Sequence, residues 1–312
     1  MATRTITTLV TSLFDYAGLF PPATLDMQKA CENYARDRMG RHAWMLGRIV
    51  CPASKLHKLS EAAAILMPGT YGTSGYREHA DILEPWGVSA VIDRPLDEAL
   101  ELIDAFDEHH AEEVHGLARV ECLELRPDSP EAIDRALDQI PEDVMAFFEV
   151  PAMEDCRGFV AALAGNDAAA KIRCGGVTPE AFPTSEQVAA FVLACKNAAV
   201  PFKATAGLHH PVRAEQKLTY EPDSERGVMH GFVNLFMAAS FVRADDVPLE
   251  FVVELLEERD PDTFSFGEDS ATWRNHEIGA ADIARARETF ALSIGSCSFG
   301  EPVEDLQKLG WF

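Results

Sequence analysis

Positive charge is scarce in this chain of 312 residues, in which 27 Lys and Arg stand against 51 Asp and Glu, a formal net charge of -24. The summed field repels nucleic acid and anionic membrane surfaces, so the composition predicts neither as a partner. A small anionic substrate is compatible with this balance, because a local cluster of Lys and Arg can attract one. The informative cations are therefore those that the fold gathers in one place.

Paired cysteines, a leader segment and long apolar runs are also missing. The seven cysteines form no CxxC pair, which argues against a disulfide framework or a zinc knuckle and predicts reduced thiols and a cytoplasmic location. The first residues, MATRTITTLVTSLFDY, lack a cationic start followed by a long apolar run, so no signal peptide is expected. No window approaches the roughly 20 apolar residues that span a bilayer.

Sequence signatures of cofactor and metal sites are absent as well. No GxGxxG follows the first predicted strand, which counts against a dinucleotide-binding fold. Neither HxH nor HExxH spacing occurs, and no cofactor is predicted. No internal repeat or low-complexity linker divides the chain, so residues 1–312 are predicted to form a single domain.

Strand and helix patterns alternate along almost the whole chain. The predicted strands are Thr5–Phe14, Trp44–Cys51, Val88–Ile92, Leu117–Leu125, Val144–Val150, Ala169–Arg173, Phe202–Ala206 and Thr263–Phe266. The predicted helices are Leu25–Met39 with Thr24 as N-cap, a helix capped by Ser54 that includes Leu56 to Leu66, Pro95–His110, Pro130–Ile140, Glu154–Ala164, Ser185–Ala199, Gly227–Val242, Leu249–Glu258 and Ala280–Leu292.

About eight β-then-α units with short connections favour parallel pairing and a closed barrel. We therefore predict an α/β fold, a single (β/α)8 TIM-type barrel, with a C-terminal extension that ends in KLGWF and docks through its aromatic side chains. A doubly wound open sheet is the alternative if the first or last strand is misassigned.

The stretch from Lys171 to Arg213 carries the strongest functional signal. It contains two predicted strands, KIR and FKAT, each with a lysine among small or apolar residues, and each leads into a glycine-containing loop. Lys and Arg are rarely buried unless they are paired or functional. Lys171, Arg173 and Lys203 are therefore predicted to share one pocket.

The alternation of side chains along a strand places these cations inside the barrel. Lys171 and Arg173 lie on one face of their strand, and Lys203 and Thr205 lie on one face of theirs, so both strands can direct these polar side chains inward. Active sites of such barrels lie at the carboxyl ends of the strands. The residues predicted to bind substrate there are Asp15, Tyr16, Arg48, Arg173, Gly175, Gly176, Thr205, His210 and Asn234.

In one predicted strand, regular alternation cannot place both charged side chains inside the barrel. Glu121 and Glu124 lie on opposite faces of the predicted strand Leu117–Leu125. We expect Glu124, which is nearer the carboxyl end, in or near the pocket, and we assign Glu121 to neither face.

The expected chemistry is that of a nucleophilic lysine. A lysine beside another cation in a low-dielectric pocket has its pKa lowered, which frees the amine to attack a carbonyl carbon. The resulting iminium withdraws electrons from the adjacent carbon, so cleavage or formation of a carbon–carbon bond follows. The predicted catalytic residues are Lys171, Lys203, Glu149 and His209, the last two as proton carriers.

The segments AKIRCGG and FKATAGLHH resemble the two consecutive lysine-bearing strands of the deoxyribose-phosphate type of class I aldolase. That resemblance covers about a dozen residues and implies a (β/α)8 fold with Lys171 as the Schiff-base lysine and Lys203 as its assisting partner. The patterns K-x-R-x-G-G, F-K-x-T-A-G-L-H-H and H-G-F-x-N also resemble a family of bacterial proteins, a resemblance that implies no activity.

Two other functions stay open on the sequence. His209, His210 and His230 with Glu149 could hold a divalent metal ion in a lyase or isomerase that acts on a small carboxylate or phosphate. Alternatively, the barrel could bind a small anion without turnover. A homo-oligomer is also expected, with the segment Gly69 to Tyr76 and the aromatic tail as interface elements.

Overall fold

The structure, a computed structural model, describes residues 2–69 and 84–312. Eight parallel strands close into a barrel, each next to its neighbour in chain order, with the eighth paired to the first. They are β1 (Phe14–Tyr16), β2 (Leu46–Pro52), β3 (Trp86–Val91), β4 (Ala118–Leu125), β5 (Met145–Val150), β6 (Ala168–Arg173), β7 (Phe202–Thr205) and β8 (Ala291–Ser296). The predicted (β/α)8 barrel is confirmed.

Helices interleave with these strands and cover the barrel. They are α1 (Arg4–Val10), α2 (Met27–Arg38), α3 (Leu56–Ala63), α4 (Leu96–His110), α5 (Pro130–Leu137), α6 (Arg157–Leu163), α7 (Ser185–Asn197), α8 (Phe232–Ala244), α9 (Leu249–Glu257), α10 (Ala280–Thr289) and α11 (Gly300–Lys308). None of these helices has both the length and the apolar character needed to cross a bilayer.

The first predicted strand, Thr5–Phe14, is wrong over most of its length. Arg4–Val10 is a helix, and only Phe14 belongs to β1. Thr, Ile and Val favour strands, but the same segment places Ile6, Leu9 and Val10 at helical spacing, and all three are fully buried. Burial of that helical face therefore outweighs the β-propensity of the individual residues.

The last predicted strand is also wrong as a member of the barrel. Thr263–Phe266 overlaps a strand, Phe264–Phe266, at the edge of a small antiparallel sheet completed by Ser270–Trp273 and His276–Gly279. The eighth barrel strand is Ala291–Ser296, which begins where the predicted helix Ala280–Leu292 ends. Its run of small residues, ALSIGS, carries little apolar signal, since alternate residues face the polar interior of the barrel.

The predicted helix Gly227–Val242 combines two elements. Ala214–Lys217 and Arg226–Met229 form an antiparallel hairpin, and α8 begins only at Phe232. Every residue from Phe232 to Val242 is buried, because α8 packs against α9, α10 and the barrel.

Helix starts differ from the prediction at two caps. Asp26, and not Thr24, caps α2 by accepting a hydrogen bond from the Lys29 N–H at 2.8 Å. Ser54 lies inside a short 3-10 turn, Ala53–Lys55, and its hydroxyl donates to Asp93, so Ser54 does not cap α3.

The aromatic tail docks as predicted, on this chain's own surface. The Trp311 ring lies 5.0 Å from the ring of Phe266, and the Phe312 ring lies 6.1 Å from that of Trp44. The helix before it, α11, is the helix of the eighth βα unit, so the extension is confined to the residues after Lys308. The predicted interface segment Gly69 to Tyr76 lies outside the described residues except for Gly69, and oligomerisation stays a prediction.

A β-bulge resolves the parity conflict in β4. Six residues of β3, Trp86–Val91, pair with seven of β4, Ala118–Glu124, and the extra residue falls at Glu121. Glu121 then points into the barrel below Glu124, where its carboxylate occupies the place that a side chain on Gly87 would need. Both glutamates therefore face the interior, although in a regular strand they would lie on opposite faces.

Candidate active site

A cavity of about 430 Å³ opens at the carboxyl end of the barrel strands. Glu124, Glu149 and Lys171 contribute charged groups to it, while one wall is apolar and includes Val50 and Val91. Its position is the one where barrel enzymes carry their active sites.

Six charged side chains of alternating sign connect inside the barrel and are called here the charge network. They are, in order of contact, Asp15, Lys203, Glu124, Lys171, Glu149 and Arg173. The register explains the grouping, since Glu149, Lys171 and Lys203 are direct partners on β5, β6 and β7 and face the same side.

Glu124 joins the two lysines. Its two carboxylate oxygens lie 2.7 Å from Nζ of Lys203 and 2.8 Å from Nζ of Lys171, and the Ser89 hydroxyl donates to it at 2.6 Å. Burial opposes ionisation, but the two ammonium groups outweigh it and hold the pKa of Glu124 below its ordinary value. Glu124 is therefore a carboxylate placed between two cations.

Lys203 is the deeper lysine, with no solvent exposure. Its Nζ donates to Asp15 Oδ2 and to Glu124 Oε1, each at 2.7 Å, and it lies 5.0 Å from the centre of the Phe147 ring. Burial disfavours the ammonium, but the two carboxylates raise the pKa of Lys203 above its ordinary value. Lys203 therefore stays charged.

This result corrects the expectation of adjacent cations that lower a lysine pKa. Glu124 separates Lys171 from Lys203, and Glu149 separates Lys171 from Arg173. The three cations meet in one charge network, but carboxylates lie between them, and of these cations only Lys171 and Arg173 line the cavity.

Lys171 is the lysine that faces the cavity. Its side chain is 8% exposed, and its Nζ lies 2.8 Å from Glu149 Oε2 as well as from Glu124. Glu149 also lines the cavity, and its pKa is lowered, since Lys171 and Arg173 outweigh the effect of burial. A carbonyl compound in the cavity can thus meet an amine that has a carboxylate beside it as a proton acceptor.

His209 lines the cavity after β7, in contact with residues that the sequence prediction missed. Its Nδ1 is 3.4 Å from Glu301 and 3.8 Å from the thiol of Cys297, and Tyr220 donates to Glu301 at 3.1 Å. Burial opposes the imidazolium, but the hydrogen bonds to Cys297 and Glu301 raise the pKa of His209. Cys297 escaped prediction because it follows the misassigned eighth strand.

Arg173 and Thr205 line the cavity as predicted, at the ends of β6 and β7. The Arg173 side chain is half exposed and its Nε donates to Glu149 at 3.5 Å. Gly176 lines the cavity too, but Gly175 serves another purpose, because a side chain there would overlap the Phe182 ring.

Gly175 and Gly207 bring two loops together. A side chain on either glycine would come within 3 Å of the other's Cα atom, and Gly207 has a φ of +68° that favours glycine. Gly175 therefore allows the two loops to pack closely and does not contact the cavity.

Two predicted substrate-binding residues face away from the cavity. The Tyr16 hydroxyl accepts a hydrogen bond from Asn33 of α2 at 3.2 Å, and its ring stacks on Tyr34. Asn234 is fully buried, and its amide donates to the carbonyl groups of Leu255 in α9 and of Glu258 directly after α9, at 2.8 Å each. Both residues anchor helices.

Asp15 and Arg48 lie deeper than predicted. Asp15 is fully buried and accepts from Lys203, from the Ser293 hydroxyl at 2.8 Å and from the Arg48 N–H at 3.0 Å. The Arg48 guanidinium lies 2.8 Å from Glu121 and lines a separate cavity at the amino end of the barrel. Neither lines the cavity at the carboxyl end, although Asp15 belongs to the charge network.

The structure separates the four residues predicted as metal ligands. His210 Nδ1 lies 2.6 Å from Asp305, and Glu149 is held by Lys171. His230 accepts from Arg213 through Nδ1 at 2.9 Å and donates through Nε2 to the Pro183 carbonyl at 2.8 Å, which uses both ring nitrogens. Within residues 2–69 and 84–312, no three His, Cys, Asp or Glu side chains group as a metal site.

Arg126 is a further residue that sequence reasoning missed. It follows the last residue of β4 and lines the cavity at the rim, next to Arg173. The signal was present, because an Arg directly after the strand that carries Glu124 falls at the carboxyl end of the barrel.

Comparisons with protein-family models, with curated proteins and with solved structures give no significant match to this chain.

Proposed function

We propose that this protein is a lyase of the aldolase type, which cleaves or forms a carbon–carbon bond in a small anionic carbonyl compound through a Schiff base on Lys171. The observation that carries the proposal is the position of Lys171, at the carboxyl end of the barrel, facing a cavity, with Glu149 at 2.8 Å. The sequence resemblance to the deoxyribose-phosphate type of class I aldolase supports it.

The steps follow from these contacts. The Lys171 ammonium gives a proton to Glu149, the amine attacks the carbonyl carbon, and Glu149 returns that proton to the carbonyl oxygen. Loss of water leaves an iminium. A carboxylate then accepts the proton of the β-hydroxyl group, and the electrons of the carbon–carbon bond move into the iminium to give an enamine and a free carbonyl product.

Lys203 and His209 have supporting roles in this proposal. Lys203 keeps Glu124 ionised and in place, because it is buried and bound to two carboxylates. His209 is a second proton carrier at the cavity, where it contacts Cys297 and Glu301. A cytoplasmic location also stays a prediction. It rests on the cysteine usage, and each of the seven cysteines is a buried free thiol.

Reductive trapping tests the proposal. The protein is incubated with a panel of aldehydes and oxo acids plus cyanoborohydride, and the adduct is located by intact mass and peptide mapping. We expect one adduct on Lys171, lost in Lys171→Met and retained in Lys58→Met, a change at an exposed lysine. Adducts spread over surface lysines, or none with any compound, would instead favour a barrel that binds anions without this chemistry.

A further inference from the structure

The charges around the cavity balance except at one residue. The charge network contains three carboxylates and three cations. Arg48 is matched by Glu121, and His209 by Glu301. Arg126 lines the same cavity and forms no hydrogen bond or ion pair with any residue in the ranges 2–69 and 84–312. Arg126 acts on Glu149 only at longer range, as the weakest of the charges that lower the pKa of that carboxylate, so its guanidinium is available to a ligand at the mouth.

A single guanidinium without a direct ion pair suits a monoanion. A carboxylate carries one negative charge, and a guanidinium binds it with two parallel hydrogen bonds. A phosphate monoester carries about −1.5 to −2 at neutral pH and would leave part of its charge unmatched.

The usual phosphate position of barrels is already filled in this protein. Phosphate groups often bind between the loops after strands 7 and 8 and a helix N-terminus. Here the first turn of α11, the helix after β8, carries Glu301, whose carboxylate pairs with His209. The Glu301 carboxylate lies where a phosphate would bind and offsets the positive end of the helix dipole that would attract it.

We propose that the substrate is a small oxo monocarboxylate whose carboxylate binds Arg126 while its carbonyl carbon reaches Lys171. The inference rests on the proposed function and adds the substrate class and the residue that selects it. The apolar wall of Val50, Val91 and Ile92 faces the remainder of the molecule. Arg173 lies at the same rim but is already bound to Glu149.

The test compares a charged and a neutral probe on the same lysine. Glyoxylate and glycolaldehyde are each trapped with cyanoborohydride over a concentration series, in wild type, Arg126→Gln and Arg126→Lys. A charged hydrogen-bonded pair changes an affinity by about 10- to 100-fold, so Arg126→Gln should raise the half-saturating glyoxylate concentration by that factor. Its effect on glycolaldehyde should be absent. Arg126→Lys should recover part of the loss.

Arg135→Gln, a change at an exposed arginine of α5, is the matched control and should alter neither probe. Equal loss of both probes in Arg126→Gln, or loss of neither, overturns the role of Arg126. Stronger trapping of glyceraldehyde 3-phosphate than of glyoxylate overturns the monocarboxylate class.

A binding measurement separates this proposal from the Schiff base. Propionate has no reactive carbonyl, so its calorimetric binding is independent of any adduct. We expect propionate to bind wild type better than propionamide does, and to lose that advantage in Arg126→Gln. If Lys171 is trapped but propionate binds no better than propionamide, the Schiff base is supported and the carboxylate site is refuted. If propionate binds better than propionamide but no adduct forms, the carboxylate site is supported and the Schiff base is refuted.

Discussion

Replacing Glu124 with Gln should be among the most destabilising conservative changes in this protein. The change keeps the shape of the side chain but removes the one negative charge that lies between Lys171 and Lys203, at 2.8 Å and 2.7 Å from their Nζ atoms. Each contact is worth about 6 kcal/mol at an effective dielectric constant of about 20, before desolvation is subtracted. Removing one partner of a buried pair costs about 3–5 kcal/mol in practice.

The rescue makes this prediction specific. The charge network is neutral in the wild type and carries one excess positive charge in Glu124→Gln. Adding Lys171→Met restores neutrality, so the double variant should regain at least about 1 kcal/mol of the loss. Loss of packing or of the Ser89 hydrogen bond predicts no such recovery.

Urea unfolding followed by circular dichroism measures both effects. Glu142→Gln, at an exposed position, is the control and should stay within about 0.5 kcal/mol of the wild type. The reasoning fails if Glu124→Gln unfolds at the wild-type urea concentration. It also fails if the free-energy changes of Glu124→Gln and Lys171→Met simply add in the double variant.

Three further predictions concern pH, a thiol and a buried amide. The pKa of Asp15, Glu124 and Glu149 is lowered by neighbouring cations against the effect of burial, so their stabilisation is complete above the ordinary carboxyl pKa and is lost as pH falls. Stability should therefore decrease from about pH 5 downward, and an increase in acid, measured by thermal unfolding, would contradict this. Iodoacetamide should alkylate Cys297 before the other six cysteines, since Cys297 alone among them lines the cavity, and propionate should slow the reaction; peptide mapping decides. Asn234→Ala should lower the free energy of unfolding by about 2–4 kcal/mol, because two buried carbonyl groups lose their donor. Trapping on the folded variant should keep its wild-type concentration dependence. A change in that dependence without a loss of stability would show that Asn234 contacts the substrate.

Much of the barrel and the core of its site could be predicted from the sequence. Lysines inside apolar runs had to face a shared interior, and strand parity placed Lys171, Lys203 and Glu149 there correctly. Parity alone could not foresee Glu124 as the bridge between the lysines, since that depends on a bulge at Glu121.

The failures have a common physical cause, which is that local pattern does not show what a residue packs against. Thr5 to Val10 have strand-forming side chains but lie in a helix, because tertiary burial selects the helical face. Asn234, near the GLHH loop, looked like a ligand contact. Its real partners are carbonyl groups in α9 and directly after it, more than 20 residues further along the chain.

The bulge in β4 also has a consequence for the way the barrel interior is divided. Because one extra residue is inserted at Glu121, β4 contributes to two sets of charges, one around Arg48 below and one around both lysines above, and Asp15 joins the two sets. Deletion of Glu121 would therefore restore the regular alternation of β4 and keep Glu124 inside the barrel, while it would leave Arg48 without its partner at 2.8 Å.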